Sequence, residues 1–519
     1  MNAKVRDRRN KRKQQLAKRK EHLKHRIDPR QGFGESHIVG KNIKYELSEK
    51  QHAISCGGIG LAQQLIKQTN LREHINQSIP LFKFHAPYAE ADHVFNMAFN
   101  LLTGGTCLEH LEHRRTDEAY LDALGAQRIP DPTTAGDFCR RFDTTTTLML
   151  MQAINKSRQI VWKQQPDAFF DHATIEADGS MVETAAEKKD GIGLNYKGQW
   201  GYCPLVVTLA ETQELLYLYN RPGNRPSHEH ASFYLDLAVE QCREAGFRKI
   251  TLRGDTDFSQ TEHLDRWDAQ GVEFIFGYDA APNLIERAES LDKNQWKRLN
   301  RRSGQTDKPR AKRENIRQQI VEDKGYKDLL LVNETCAEFD YQPTKCSQHY
   351  RMVVVRKEIE CSRGQQRMFD DDQVRYFFYI TNKPKKECST RQVIHGANQR
   401  CNQENTISQL KASHCLKAPL DNLDSNWAYM VIASLAWTLK QWSGLMVRVK
   451  GNPNQRAKPT AIREWLVKME FATFLNSLIL IPAQVLRSAR QTTLRLLTYR
   501  RSVDALFLVA DHISKPLRQ

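Results

Sequence analysis

The chain has 519 residues, 78 Lys and Arg against 61 Asp and Glu, a formal charge of +17 and a pI near 9.3. That length allows roughly three to four domains, and a hydrophobic content of 40% is ample for real cores, which excludes a disordered protein. The charge predicts a polyanionic partner, nucleic acid foremost, and the 11 scattered cysteines, none in a CxxC pair, argue against a zinc site or a disulfide framework and for free thiols in a reducing cytoplasm.

Residues 1–30 hold 13 Lys/Arg and 3 Asp/Glu, so a basic flexible arm is expected over 1–45, solvated or ordering on a DNA backbone. No apolar stretch follows its charges, so no secretion signal is expected. From 46 to 165 the apolar residues recur at the helical period, as in Ile59-Leu61-Leu65-Ile66 and Val94-Phe95-Met97-Ala98-Leu101-Leu102. Pro130-Asp131-Pro132-Thr133-Thr134 supplies the chemistry to start a further helix running through Phe142. A helical DNA-binding or dimerisation domain fits this stretch, with a helix-turn-helix as one reading and helices round an ordinary core as the other. Glu109-His110-Glu112-His113 lacks HExxH spacing and reads as a solvated helix face.

Over 166–277 the period becomes that of strands. Ala173 to Ser180 alternates and breaks at Asp178-Gly179, and Tyr202–Leu209 with Leu215–Tyr219 predicts a hairpin. A helix capped by Ser227 and closed by Gly246 follows, then the strand ending at Arg253-Gly254-Asp255, a helix around Leu264 and Trp267, and the strand 272–276. Strands interleaved with helices predict an α/β domain. Residues 278–375 begin with a very basic segment from Lys297 to Arg317 and continue with strands at 329–332 and 352–355, a β-rich insertion. The strand 376–380 opens a second α/β part, 376–450, in which the apolar run Trp427–Leu439 is too short for a bilayer and reads as a buried helix. A C-terminal helical region is expected over 451–519.

Two acids, Asp178 and Asp255, stand at strand ends, where ligands gather in open α/β sheets. Carboxylates converging there repel one another unless a hard divalent cation neutralises them, and phosphoryl transfer uses two such ions. Asp178-Gly179 taken alone reads as a turn before it reads as catalysis. In Asn398-Gln399-Arg400-Cys401-Asn402-Gln403-Glu404 and on to Lys411, a continuous helix would set Arg400, Glu404 and Lys411 on one face, as a surface ion pair or as a metal carboxylate flanked by phosphate-binding cations.

These motifs, NQRCNQENTISQLK together with the RGDTDFS context and Asn426-Trp427-Ala428-Tyr429-Met430, resemble those of bacterial insertion-sequence transposases of the DDE superfamily, in the group-1 DDE-domain family with a β-strand insertion. The likeness extends from about Ser48 onward. It implies an RNase H-like catalytic domain in two parts, interrupted by the insertion, that binds two Mg²⁺ ions, or Mn²⁺, through Asp178, Asp255 and Glu404 and acts on double-stranded DNA at the ends of its own element. The family pattern has Gly two residues after the second Asp, where Asp257 stands, and Tyr where Ala397 stands.

The resemblance further implies that Arg400 and Lys411 fix the scissile phosphate. Trp296, beside Lys297 and Arg298, is a candidate for stacking on an extruded base. A homodimer on DNA and a bacterial, nucleoid-associated cytoplasmic protein without membrane contact are expected. Alternatives from the same carboxylates are a metal-dependent nuclease that does not join ends and a catalytically impaired, transposase-derived DNA-binding protein.

Overall fold

The stretches with strand period after Phe169 do form strands. In the computed structural model, which describes residues 3–26, 45, 51–83, 87–299, 328–362, 374–488, 491–500 and 502–517, they are β1 (His172–Gly179), β2 (Leu205–Leu209), β3 (Glu214–Tyr219), β4 (Lys249–Gly254) and β5 (Glu273–Tyr278). β1, β2 and β3 pair antiparallel, whereas β4 pairs parallel to β1 and β5 parallel to β4. Parallel neighbours need a crossover. The helix α1 (Ala231–Ala245) leads into β4, and α2 (Thr261–Ala269) connects β4 to β5.

The start of α1 differs from expectation. Residues 226–231 make turns, with Glu229 N–H donating to Pro226 O and Ala231 N–H to His228 O, so the helix begins after His230 at φ +60° instead of at Ser227. Its end is as expected, at Gly246 with φ +95°, a conformation that suits glycine.

The strands that follow extend the same sheet. These are β6 (Lys297–Arg298), β7 (Asp328–Tyr341), β8 (Tyr350–Ser362) and β9 (Val374–Thr381), and β9 pairs antiparallel with β5. The nine strands run in the order β6-β7-β8-β9-β5-β4-β1-β2-β3, a large mixed sheet in an α/β protein. From residue 300 the expected basic segment lies outside the described residues. On this sheet the helix α3 (Thr390–Asn398) buries Val393 and Ile394 against Ile275, Val353 and Val355. After it comes α4 (Cys401–Ala412).

By internal contacts the chain forms two units. One comprises Pro166–Ala185 and Ile192–Ile407 and contains the sheet. The other comprises Met1–Gln165, Ala186–Gly191 and Ser408–Gln519 and is largely helical. Cap chemistry decides its boundaries. Asp131 accepts from Thr134 N–H at 2.9 Å and opens the helix Pro132–Cys139, and Asp143 accepts from Thr146 N–H at 2.7 Å and opens the helix Thr144–Lys163, which is why the first stops short of Phe142.

The apolar run read as a buried helix is one, Leu423–Leu445, buried without a break from Ser425. Even Lys440 is enclosed, donating to Val467 O at 2.9 Å above the Trp437 ring. No described helix is long and apolar enough to cross a membrane. The N-terminal residues Ala3–Arg26 form a helix whose Arg12 pairs with Asp511 at 3.1 Å. The C-terminal region also departs from an all-helical expectation, because Ala483–Ser488 and Gln491–Leu496 form a hairpin. Ala483 and Val485 are buried while Gln484 and Leu486 are only half so, a period of two that a helix cannot satisfy.

Candidate active site

Parallel pairing of β1 with β4 places Glu176 opposite Arg253. Side chains alternate along a strand, so Asp178 and Asp255, each two residues further on, follow on the same face as that pair. Asp255 lies just past the end of β4 and caps the short turn Thr256–Phe258, its Oδ1 accepting from Asp257 N–H at 3.1 Å. Asp257 itself is exposed. The turn can lie close over β5 because residue 277 is glycine: a Cβ there would come within 2.9 Å of Thr256 N.

Arg400 joins two of the acids. Its Nη1 donates to Asp255 Oδ2 at 2.7 Å and its Nη2 to Glu404 Oε1 at 3.2 Å. The four-residue offset therefore acts as the spacing predicts, but the helix is not continuous: α3 ends at Asn398, Gln399 and Arg400 make a turn, and α4 begins at Cys401. Lys411 follows Glu404 by seven residues on α4 and is exposed.

Charge couples the third acid to the other two. Burial, and then the Asp255 charge, push the half-buried Asp178 carboxyl up to about 6, with Glu404 adding to the rise and Arg400 opposing it. Burial also raises Asp255 above the usual carboxylate range, against the pull of Arg400. For Arg400, burial disfavours the charge, yet Asp255, Asp178 and Glu404 outweigh it and hold the guanidinium above its ordinary pKa.

A pH prediction follows. Between about pH 4 and pH 6 folded Asp178 retains a proton that the unfolded chain has lost, so its contribution to stability falls as pH rises through that window. In metal-free protein Asp178→Asn is expected to stabilise the fold at pH 7.5 by on the order of 1 kcal/mol, discounted for solvent screening, and to change it little at pH 4. Urea unfolding at the two pH values measures this; equal effects at both would remove the coupling.

Sequence reading missed the groups beneath these acids. The Glu176 and Arg253 side chains are 1% and 6% exposed and pair at 2.6 Å. Burial pushes the Glu176 carboxyl up and Arg253 pulls it back. Arg253 Nη1 also donates to Gly396 O at 2.9 Å and to Gln399 Oε1 at 3.2 Å, tying the turn that carries Arg400 to the sheet. Gln403 Nε2 donates to Val206 O at 3.0 Å, which fixes α4 to the β2 residue opposite Asp178. The available signal was the two-residue step in Glu176-x-Asp178 and Arg253-x-Asp255, two polar residues on the inward face of each strand.

Trp296, Lys297 and Arg298 are elsewhere. Lys297 and Arg298 form the edge strand β6, paired with Cys336 and Thr335, and are exposed. Five strand spacings, roughly 24 Å, separate β6 from β4 across the sheet.

Three carboxylates offer only hard oxygen donors, the donor type that Mg²⁺ and Mn²⁺ take. Among the described residues no group of three or more His, Cys, Asp or Glu is arranged to hold a metal ion, and the guanidinium of Arg400 supplies the countercharge to Asp255 and Glu404. The donor set, in which burial raises the Asp178 and Asp255 carboxyls, fits a divalent cation by charge and donor type.

Comparison with known proteins adds one assignment. The profile of the family described as transposase DDE domain group 1 matches residues 38–516. No curated protein sequence matches the chain. Among solved structures, the piggyBac transposase synaptic complex with hairpin DNA aligns over 89% of this chain and 83% of its own at 9% identity, with a TM-score of 0.34.

Proposed function

Because the chain belongs to the transposase DDE domain group 1 family, we propose that it cleaves the inverted-repeat ends of its own mobile element and joins the freed 3′-OH to target DNA. The observation that carries this reading is the double pairing of Arg400 with Asp255 and Glu404, beside the parallel register that puts Asp178 and Asp255 each two residues beyond the Glu176–Arg253 pair. The strand order β3-β2-β1-β4-β5, in which β2 alone runs antiparallel to the other four, supports an RNase H-like catalytic core extended by the β6–β9 strands.

In this reading Asp178, Asp255 and Glu404 would hold two Mg²⁺ or Mn²⁺ ions. Such ions, when bound, lower the pKa of an attacking water and neutralise charge on the scissile phosphodiester. The protein's own part is positional. Asp178 and Asp255 are presented by neighbouring parallel strands, Glu404 by a helix pinned through Gln403, and Arg400 is placed to turn from carboxylate to phosphate when DNA arrives. Lys411 adds a phosphate contact along α4, and Trp296, Lys297 and Arg298 contact DNA from the sheet edge. The element ends call for a homodimer on DNA. A bacterial cytoplasm, with its nucleoid, is the setting proposed.

The test is a joining assay with purified protein, Mg²⁺ and labelled duplexes taken from the DNA flanking the coding region. Transfer of label into plasmid, abolished by EDTA, is expected. Metal-dependent cutting without joining would make the protein a nuclease, and no reaction on any end would reduce it to a DNA-binding protein.

A further inference from the structure

Between the Asp178 strand and β2 the chain builds a small three-stranded sheet whose role the proposed chemistry leaves open. Trp200–Tyr202 is its middle strand, flanked by Val182–Glu183 and Gly193–Leu194. The tip, Asn195–Gln199, is held by the Asn195 side chain, which accepts from Lys197 N–H and Gln199 N–H, both at 2.9 Å, and donates to Gln199 Oε1 at 2.8 Å. Gly201 lets the strands close, since a Cβ there would lie 2.1 Å from Val182 O.

This hairpin displays apolar surface outward. Leu194 and Trp200 are register partners and are 45% and 47% exposed, and Tyr196 at the tip is 91% exposed. The inner residues Gly193 and Tyr202 are buried, so the hairpin is anchored and its exposure is not the result of a failed core. Lys197 carries its ammonium 5.4 Å from the Tyr196 ring centroid. Val182 follows Asp178 by four residues, a reach of at most about 14 Å, and pairs with Tyr202, so the hairpin is rooted beside the end of the sheet that bears the acid.

We propose that the Gly193–Tyr202 hairpin is a stacking platform for unpaired bases of the DNA on which the Asp178 site acts; the inference rests on the transposase reading above. Exposed rings next to a lysine match a base flanked by phosphates in both surface and charge, on a chain that is +17 overall. Within a duplex both faces of a base are covered by its neighbours. The partner is therefore single-stranded DNA, an overhang or a displaced base at the cut.

Full-length protein is titrated with fluorescent oligothymidine and with a blunt duplex of equal length over a range of salt. Tyr196→Ala with Trp200→Ala is expected to weaken oligothymidine binding by on the order of tenfold or more, with the salt slope unchanged because no phosphate contact is lost. Lys197→Gln is expected to flatten that slope by about 0.7. Duplex affinity should change little in the aromatic variant. Oligothymidine bound as tightly by the double variant as by wild type overturns the proposal, and so does a double variant that instead loses self-association in sedimentation. The same titration in EDTA, where no metal-dependent cleavage can occur, should show the same loss in the double variant. Base stacking is thereby scored separately from cleavage, and failure of the transposase reading in the joining assay leaves this result readable.

Discussion

Asp178→Asn, Asp255→Asn and Glu404→Gln are each expected to lower end cleavage and joining by more than about 100-fold, the upper range for losing a group that merely supports a metal ligand. Each substitution keeps the side-chain shape and removes one negative oxygen ligand. The loss should appear in kcat with DNA affinity nearly kept, because carboxylates repel phosphate and add nothing to binding in the ground state. The three effects should not add in combination, since one missing ligand already disables a shared site. Asp257→Asn serves as the control: its side chain is exposed and the substitution keeps the backbone N–H that Asp255 accepts while removing a charge that raises the Asp255 carboxyl, so activity close to wild type is expected. Loss of activity in Asp257→Asn with retention in Asp255→Asn would move the second acid by two residues.

Arg253→Ala is expected to destabilise the sheet-bearing unit by roughly 3–5 kcal/mol, because it strands the Glu176 carboxylate in a site only 1% exposed. The same change frees Gly396 O and Gln399 Oε1, the two tethers that hold the turn before Arg400. Glu176→Leu with Arg253→Met removes both charges together and is expected to recover most of that stability. It should not recover activity, because neither replacement can bind the turn. Urea unfolding monitored by circular dichroism, alongside the joining assay, separates the two consequences. A double variant as unstable as Arg253→Ala, or one that is stable and fully active, would contradict this account of the pair.

How much of this was legible beforehand depends on whether a feature is local. The positions of Asp178 and Asp255 at strand ends were legible because strand alternation and a following turn are encoded within a few residues, and Arg400 met Glu404 because a four-residue offset brings side chains together even across a helix start. Glu176 and Arg253 could not be paired in advance, since their meeting depends on the parallel register of strands 77 positions apart. Nor did the sequence reveal that β9 pairs with β5 and so turns the expected insertion into a continuation of the central sheet. Trp296 is marked in the sequence only as a ring beside two cations, and that those cations form an edge strand depends on their pairing with Cys336 and Thr335, far along the chain. The hairpin around Tyr196 and Trp200 is short and rich in Gly, with no long alternation to mark it, and only exposure in the folded chain distinguishes those rings from core.

Binding of Mn²⁺ to the DNA-bound protein, followed by electron paramagnetic resonance, tests most directly whether the three acids share divalent ions. Wild type should take up two ions, and Asp178→Asn, Asp255→Asn and Glu404→Gln should each weaken the uptake. Uptake that none of the three substitutions alters would contradict the account.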